Sequence, residues 1–200
     1  MDLARVKENL TKRGFAVSTF ETAAEAADYL DRAIDGVSVG IGGSMTVQEM
    51  GLAARLASHN TLYWHWQPAE GVTAAETLKK AATAEVYLTS VNGLAESGEI
   101  INIDGTGNRV AAMLYGHKKV YFLVGENKLA ADYDAALYRA RNVAAPKNAR
   151  RIGLATPCAA AGRCFDCASP QRICRGLTVL WEKMNSCEME VVLIGEPLGY

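Results

Sequence analysis

Four of the chain's five cysteines, Cys158, Cys164, Cys167 and Cys174, fall within seventeen residues. Thiols this dense suit a tetrahedral zinc site or an iron–sulfur cluster. Their spacing is C-x5-C-x2-C-x6-C, and the C-x2-C centre lets two sulfurs meet one metal. The flanking spacings match neither a bacterial ferredoxin run nor the paired C-x2-C of a zinc ribbon. Other chemistries fit the same residues: buried small hydrophobes, a redox dithiol at Cys164 and Cys167, or local disulfides formed on oxidation. Arg163, Arg172 and Arg175 interleave with the thiols and are expected to favour thiolate, which serves metal binding and redox reactivity alike.

Two glycine-rich loops carry the remaining signal. In Gly42-Gly-Ser-Met-Thr46, Gly42 and Gly43 let backbone approach a ligand, and Ser44 and Thr46 add hydroxyls. A helix start here offers N–H groups to a phosphate or carboxylate; the same residues also make a tight turn with an ordinary cap. Asp104-Gly-Thr-Gly-Asn-Arg109 holds a carboxylate, an amide and a guanidinium within six residues. Asp104 could act as a general base or bind a hydroxyl, with Thr106 and Asn108 as further contacts and Arg109 holding an oxyanion. The alternative is that Asp104 fixes the turn and Arg109 is solvated. Asn92 turns the chain after another strand, and Asn127 and Lys128 follow a third. Loops converging on one sheet edge predict a pocket for a small anion. His65, between Trp64 and Trp66 in a strand, reads as a structural histidine pointing away from both. His59 and His117 sit in helix C-terminal turns.

The elements that must position these residues alternate. Apolar runs predict strands at 15–17, 37–41, 61–66, 85–91, 99–104, 119–125 and 189–195. Helices are expected at 1–13, 23–34, 73–84, 108–115, 129–142 and 170–184, with capping boxes at Thr22–Glu25, Thr46–Glu49 and Thr73–Glu76. This is an α/β pattern: a mostly parallel sheet with helices on both faces, in a single domain spanning 1–200 whose cysteine-rich segment lies at 156–175.

Composition narrows the function classes. Residues are 50% hydrophobic and 22% charged, globular values, and a formal charge of −1 gives no reason to expect nucleic acid or an anionic membrane. The charged N-terminus has no signal-peptide core, and no apolar run approaches a membrane span. A cytoplasmic protein with reduced thiols is the expectation.

Several strings together resemble the LUD (lactate-utilisation) domain family: Gly42–Thr46, Asn102–Arg109, Val124–Lys128, Thr156–Arg175 and the closing Gly195-Glu-Pro-Leu-Gly-Tyr200. The likeness runs over nearly the whole chain and is nearest the short stand-alone members with a cysteine motif. It implies a fold related to ribose-5-phosphate isomerase, glucosamine-phosphate deaminase and the CoA transferases, a superfamily in which sugar phosphates or acyl-CoA bind over strand C-terminal loops. It implies also a place in lactate or hydroxy-acid metabolism, with iron–sulfur subunits of a lactate oxidation system as partners. Separately from the resemblance, a homo-oligomer is one possible assembly. The histidine and glutamate pattern of the deaminases and the CoA-transferase glutamate are not found in a recognisable context.

Three functions are therefore in play. One is a component of hydroxy-acid metabolism binding a small anion, with Gly43, Ser44 and Thr46 cradling it, Arg109 and Lys128 neutralising it, and Asp104 orienting a hydroxyl or taking a proton. Another is a redox or sensing module with zinc or an iron–sulfur cluster on the four cysteines. The third is a ligand-binding or assembly protein without catalysis.

Overall fold

A computed structural model describes residues 3–200. Val6 and Leu10 face inward from helix α1 (Leu3–Lys12), which leads into strand β1 (Ala16–Phe20). Helix α2 (Ala23–Ala33) opens on the capping box at Thr22 and Glu25, both halves of which form. Strand β2 (Ser38–Ile41) is followed by two short helices, α3 (Met45–Glu49) and α4 (Leu52–Leu56), then by β3 (Thr61–Trp64). Helix α5 (Ala74–Ala81), with its Thr73–Glu76 capping box intact, returns the chain to β4 (Val86–Ser90). Next come β5 (Gly93–Ala95), β6 (Ile100–Asp104), α6 (Asn108–Leu114), β7 (Lys119–Gly125) and β8 (Leu129–Ala130). Helices α7 (Tyr133–Arg139), α8 (Ala145–Arg151) and α9 (Pro157–Ala161) precede β9 (Gly176–Leu180) and β10 (Glu188–Ile194).

The expected α/β fold is present. Six parallel strands form one open sheet in the order β1-β10-β7-β4-β2-β3. Its central strands are buried: every residue of β7 after Lys119 and of β10 after Glu188 is enclosed, as helices on both faces require. The one charged side chain among them, Glu190, is paired with Lys119 at 2.9 Å and accepts from Ser18 and Tyr29. On one face, α2, α3 and α4 pack Leu30, Val47, Leu52 and Leu56 against Ile41, Leu88 and Leu123. On the other, Val6, Leu10, Met113 and Tyr87 close over Val120, Phe122 and Val191. The chain leaves β2 across the first face and β4 across the second. The neighbouring β2 and β4 C-termini therefore open a crevice, where ligands of open parallel sheets bind.

Four strand-level details differ from the sequence reading. Residues 99–104 do not join the parallel sheet: β6 pairs antiparallel with β5 and β9 in a second sheet of order β8-β5-β6-β9. The helix expected over 170–184 is absent, and Gly176–Leu180 instead extends alongside β6, as its branched Thr178 and Val179 favour. Leu129 and Ala130 pair with β5 rather than starting a helix. Nor does the helical path stop at 142, as expected, but runs on from α7 into α8. Residues 140–144 form a π-turn, closed by the Ala145 N–H on the Ala140 carbonyl, and Pro146 opens α8. The widened turn takes the proline ring without breaking the rod.

A Cβ at Gly40 in β2 would lie 2.5 Å from the Ala81 carbonyl oxygen and 2.9 Å from the Tyr87 ring, because α5 rests directly on the strand. Gly40→Ala is expected to cost about 1–3 kcal/mol in chemical denaturation through overpacking. An unchanged midpoint would mean that α5 does not seat there.

Candidate functional site

Over the C-terminal edge of the parallel sheet lies a cavity of about 280 Å³. The parallel sheet contributes Gly43 and Ser44 after β2, His65 and Trp66 after β3, Ser90 and Asn92 after β4, and Lys128 after β7. The second sheet supplies the opposite wall through Asp104, Thr106, Asn108 and Arg109. The Asp104 loop is thus not on the edge shared by the other loops; the second sheet folds it across them. Asn148, Arg151 and Tyr200 form the rim.

Arg109 is turned inward and buried. Its guanidinium donates to the Ser90 carbonyl at 3.4 Å, the Ile103 carbonyl at 2.7 Å, Asn92 Oδ1 at 3.2 Å and Asn102 Oδ1, with Asp104 Oδ2 3.7 Å from Nε. It therefore joins the end of β4 to β6 and lends the cavity its charge. A Cβ at Gly42 would sit 3.1 Å from the Arg109 stem and 2.9 Å from the Tyr87 hydroxyl, so Gly42 makes room for this arginine rather than for a ligand. Asp104 Oδ1 accepts from the Thr106 and Gly107 amides, each at 3.0 Å, which holds the turn.

Lys128 is only 3% exposed, and its Nζ lies 2.7 Å from both Thr46 Oγ1 and Ser90 Oγ. Thr46 is therefore not the expected helix cap. Ser44 caps α3 by accepting from the Val47 amide at 3.3 Å, while Thr46 points into the protein and Glu49 accepts the Gly199 amide instead. Burial, then the Arg139 and Arg109 guanidinium groups, push the Lys128 amine down to about 7. Arg139, itself lowered to about 10 by burial, donates to the Asn127 carbonyl at 2.7 Å and the Asn92 carbonyl at 2.6 Å. Asn127 faces away from the cavity and ties down the last residues, accepting the Leu198 amide at 3.0 Å and donating to the Gly199 carbonyl at 3.3 Å.

Of the ligand-binding residues expected from sequence, Gly43, Ser44, Asn92, Thr106, Asn108, Arg109 and Lys128 line one cavity, as does Asp104. Gly42, Thr46 and Asn127 support it from behind. Sequence reasoning missed several wall residues. His65 is not the satisfied structural histidine expected: β3 ends at Trp64, the alternation lapses, and the ring packs 6.0 Å from Trp66. Burial lowers its imidazole, and its buried Nδ1 has no hydrogen-bond partner within the protein. At the rim, Arg151 stacks 4.6 Å over Trp66 and donates to the Tyr200 hydroxyl at 2.7 Å and to Asn148. Tyr200 lay in a closing motif that could have flagged it. Arg139 and Arg151, on α7 and α8, carried no local signal.

The cysteines do not line the cavity. The segment touches it through Ile173, and the Arg175 amide donates to the Asp104 carbonyl at 3.0 Å. All five thiols are free, and among the described residues no three His, Cys, Asp or Glu side chains stand where they could hold a metal. The Cys174 thiol is raised by burial and then by Cys164 and Cys158, against a lesser lowering by Arg172. The thiolate expected from the interleaved arginines is thus not favoured at Cys174. Arg172 instead donates to Asp166 and to the Cys167 and Cys174 carbonyls, and Arg163 stacks on Phe165.

The LUD domain model matches residues 3–194 of this chain. A solved DUF162 family protein from Deinococcus radiodurans is similar in fold, with 14% identity, a TM-score of 0.53, and coverage of 96% of this chain and 95% of its own. No curated protein matches. Among the described residues no helix is long and apolar enough to cross a membrane.

The buried amine sets a pH test. Unfolding returns Lys128 to its ordinary 10.5, so between about 7 and 10.5 the unfolded chain binds more protons and stability rises with pH. Below that window the full cost of burying the ammonium remains. Lys128→Met is expected to be more stable than wild type near pH 6, by roughly 2 kcal/mol in chemical denaturation, with the gap closing toward about pH 10. An equal gap at both pH values would mean that the amine titrates normally.

Proposed function

We propose that this chain, which belongs to the LUD domain family, binds a small anionic metabolite of the hydroxy-acid class in the cavity between its two sheets. The family is linked to lactate utilisation in general. The observation that carries the reading is electrostatic. Lys128 and Arg109 line the cavity, Arg139 stands behind them, and Asp104 is the one carboxylate on the wall among the described residues. Burial and then the two guanidinium groups depress Lys128, since Asp104, 3.7 Å from Arg109 Nε, offsets them only in part; a bound carboxylate would offset more. Arg151, exposed at the rim over Trp66, presents a forked donor that matches a carboxylate. The volume suits a small metabolite rather than a dinucleotide.

Thermal shift with lactate, inorganic phosphate, a sugar phosphate and acyl-CoA tests it, since a ligand selective for the folded state raises the melting temperature. A small anion is expected to stabilise wild type. Arg151→Ala should bind it about tenfold more weakly, ~1.4 kcal/mol, and a control Lys147→Ala should bind it unchanged. No shift from any anion, or equal affinity in Arg151→Ala, contradicts this site.

A second reading, zinc or an iron–sulfur cluster on Cys158, Cys164, Cys167 and Cys174, has one structural support. Cys164 Sγ accepts from the Asp166 amide at 3.3 Å and lies 3.7 Å from an Arg141 guanidinium nitrogen, donors of the kind that stabilise a ligating thiolate. Asp166 adopts φ 49° to place that amide, an uncommon conformation for a residue other than glycine. The four sulfurs as folded do not form a metal-ready set, so no chemistry is routed through one. Anaerobic purification with metal analysis decides: stoichiometric zinc or iron supports the reading, and metal-free protein with freely titrating thiols ends it.

A further inference from the structure

Lys128 has a feature that anion binding alone does not use. Its nitrogen is fixed by two hydroxyls whose own protons point elsewhere. Ser90 Oγ donates to the Leu123 carbonyl at 2.5 Å, and Thr46 Oγ1 reaches the Leu198 carbonyl at 3.3 Å and Ser90 Oγ at 3.2 Å. Both hydroxyls therefore turn lone pairs toward Lys128, and each takes one of its N–H bonds. In the neutral amine the two N–H bonds are then committed, and the lone pair is left as the group not bound by protein. Gly199 closes over the amine from the side, since a Cβ there would lie 3.2 Å from Nζ and 2.7 Å from Thr46 Oγ1. Lys128 nevertheless lines the cavity, so the ligand chamber is the open direction.

We propose that Lys128 is a nucleophilic amine that captures the carbonyl carbon of a small 2-oxo acid as an imine. The proposal rests on the anion-binding reading of the same cavity and narrows its ligand to the oxidised counterpart of a 2-hydroxy acid. The Nζ lone pair forms the N–C bond as the carbonyl π pair moves to oxygen. A proton passes from nitrogen to that oxygen, giving a carbinolamine. The C–O bond then breaks, and the oxygen leaves as water with the second amine proton. No oxidant or co-reactant is consumed. Ser90 and Thr46, which hold the amine hydrogens, are placed to pass them on. Desolvation and the Arg139 and Arg109 charges hold the amine well below its ordinary range; a seated carboxylate offsets part of those charges, so the neutral, nucleophilic fraction grows as pH rises above about 7. The ligand's carboxylate accounts for the cationic wall, and its carbonyl for the amine.

The test is trapping: full-length protein is incubated with pyruvate and borohydride, then examined by intact mass and peptide mapping. One reduced adduct is expected, on the peptide containing Lys128, and it should form faster as pH rises above about 7. Lactate with borohydride should give none. Lys128→Met, checked for an intact melting transition, should lose the adduct. Wild-type mapping decides even if that variant fails to fold. If pyruvate raises the melting temperature but leaves no adduct, or labels surface lysines equally, the nucleophile is overturned while the anion site stands. If pyruvate and lactate give neither shift nor adduct, both readings fall.

Discussion

A buried guanidinium is the joint on which the molecule is assembled. Arg109 reaches from α6 to the Ser90 carbonyl and the Asn92 side chain at the end of β4, and to Asn102 and the Ile103 carbonyl on β6. A charge taken out of water is costly unless its donors are met, and here the neutral acceptors come from two different sheets. The sheets cannot separate without stranding it. The same contacts hold the Asp104 loop over the parallel edge, so the cavity and the sheet–sheet joint are one arrangement.

The chemistry of the wall follows from that placement. Asp104 is engaged with its own turn, which leaves Arg109 only weakly compensated at 3.7 Å. Arg139, needed to tie the Asn92 and Asn127 carbonyls together, adds a second positive charge. Lys128 sits within reach of both and is held by hydroxyls alone. Stability and ligand recognition then oppose each other. The field that makes the Lys128 ammonium costly to bury is the field that attracts an anion.

Much of this was legible in the sequence where the signal was local. The apolar runs at β7 and β10 announced buried parallel strands, and the Thr22 and Thr73 capping boxes stand as expected. The glycine loops and Lys128 were found because polar residues after apolar strands are easily seen. What stayed hidden depends on long-range contact. Thr46 and Glu49 have the spacing of a capping box, but Lys128 and Gly199 claim their side chains from 82 and 150 residues away. Residues 99–104 read as another parallel strand because pattern cannot tell an antiparallel partner such as β9 from a parallel one. Arg139 and Arg151 look like ordinary helix arginines until the fold carries them to the cavity. The cysteine segment carried the loudest signal, yet it meets the cavity only through Ile173.

The central claim is that an anion relieves the charge around Lys128. Titration calorimetry with lactate near pH 8, repeated in buffers of different ionisation enthalpy, reads this directly as proton uptake. Lactate has no carbonyl outside its carboxylate, so imine formation does not contribute. The account predicts net uptake of protons on binding, lost in Lys128→Met and vanishing near pH 5, where the amine is already protonated. Binding with no buffer dependence at pH 8 would contradict it.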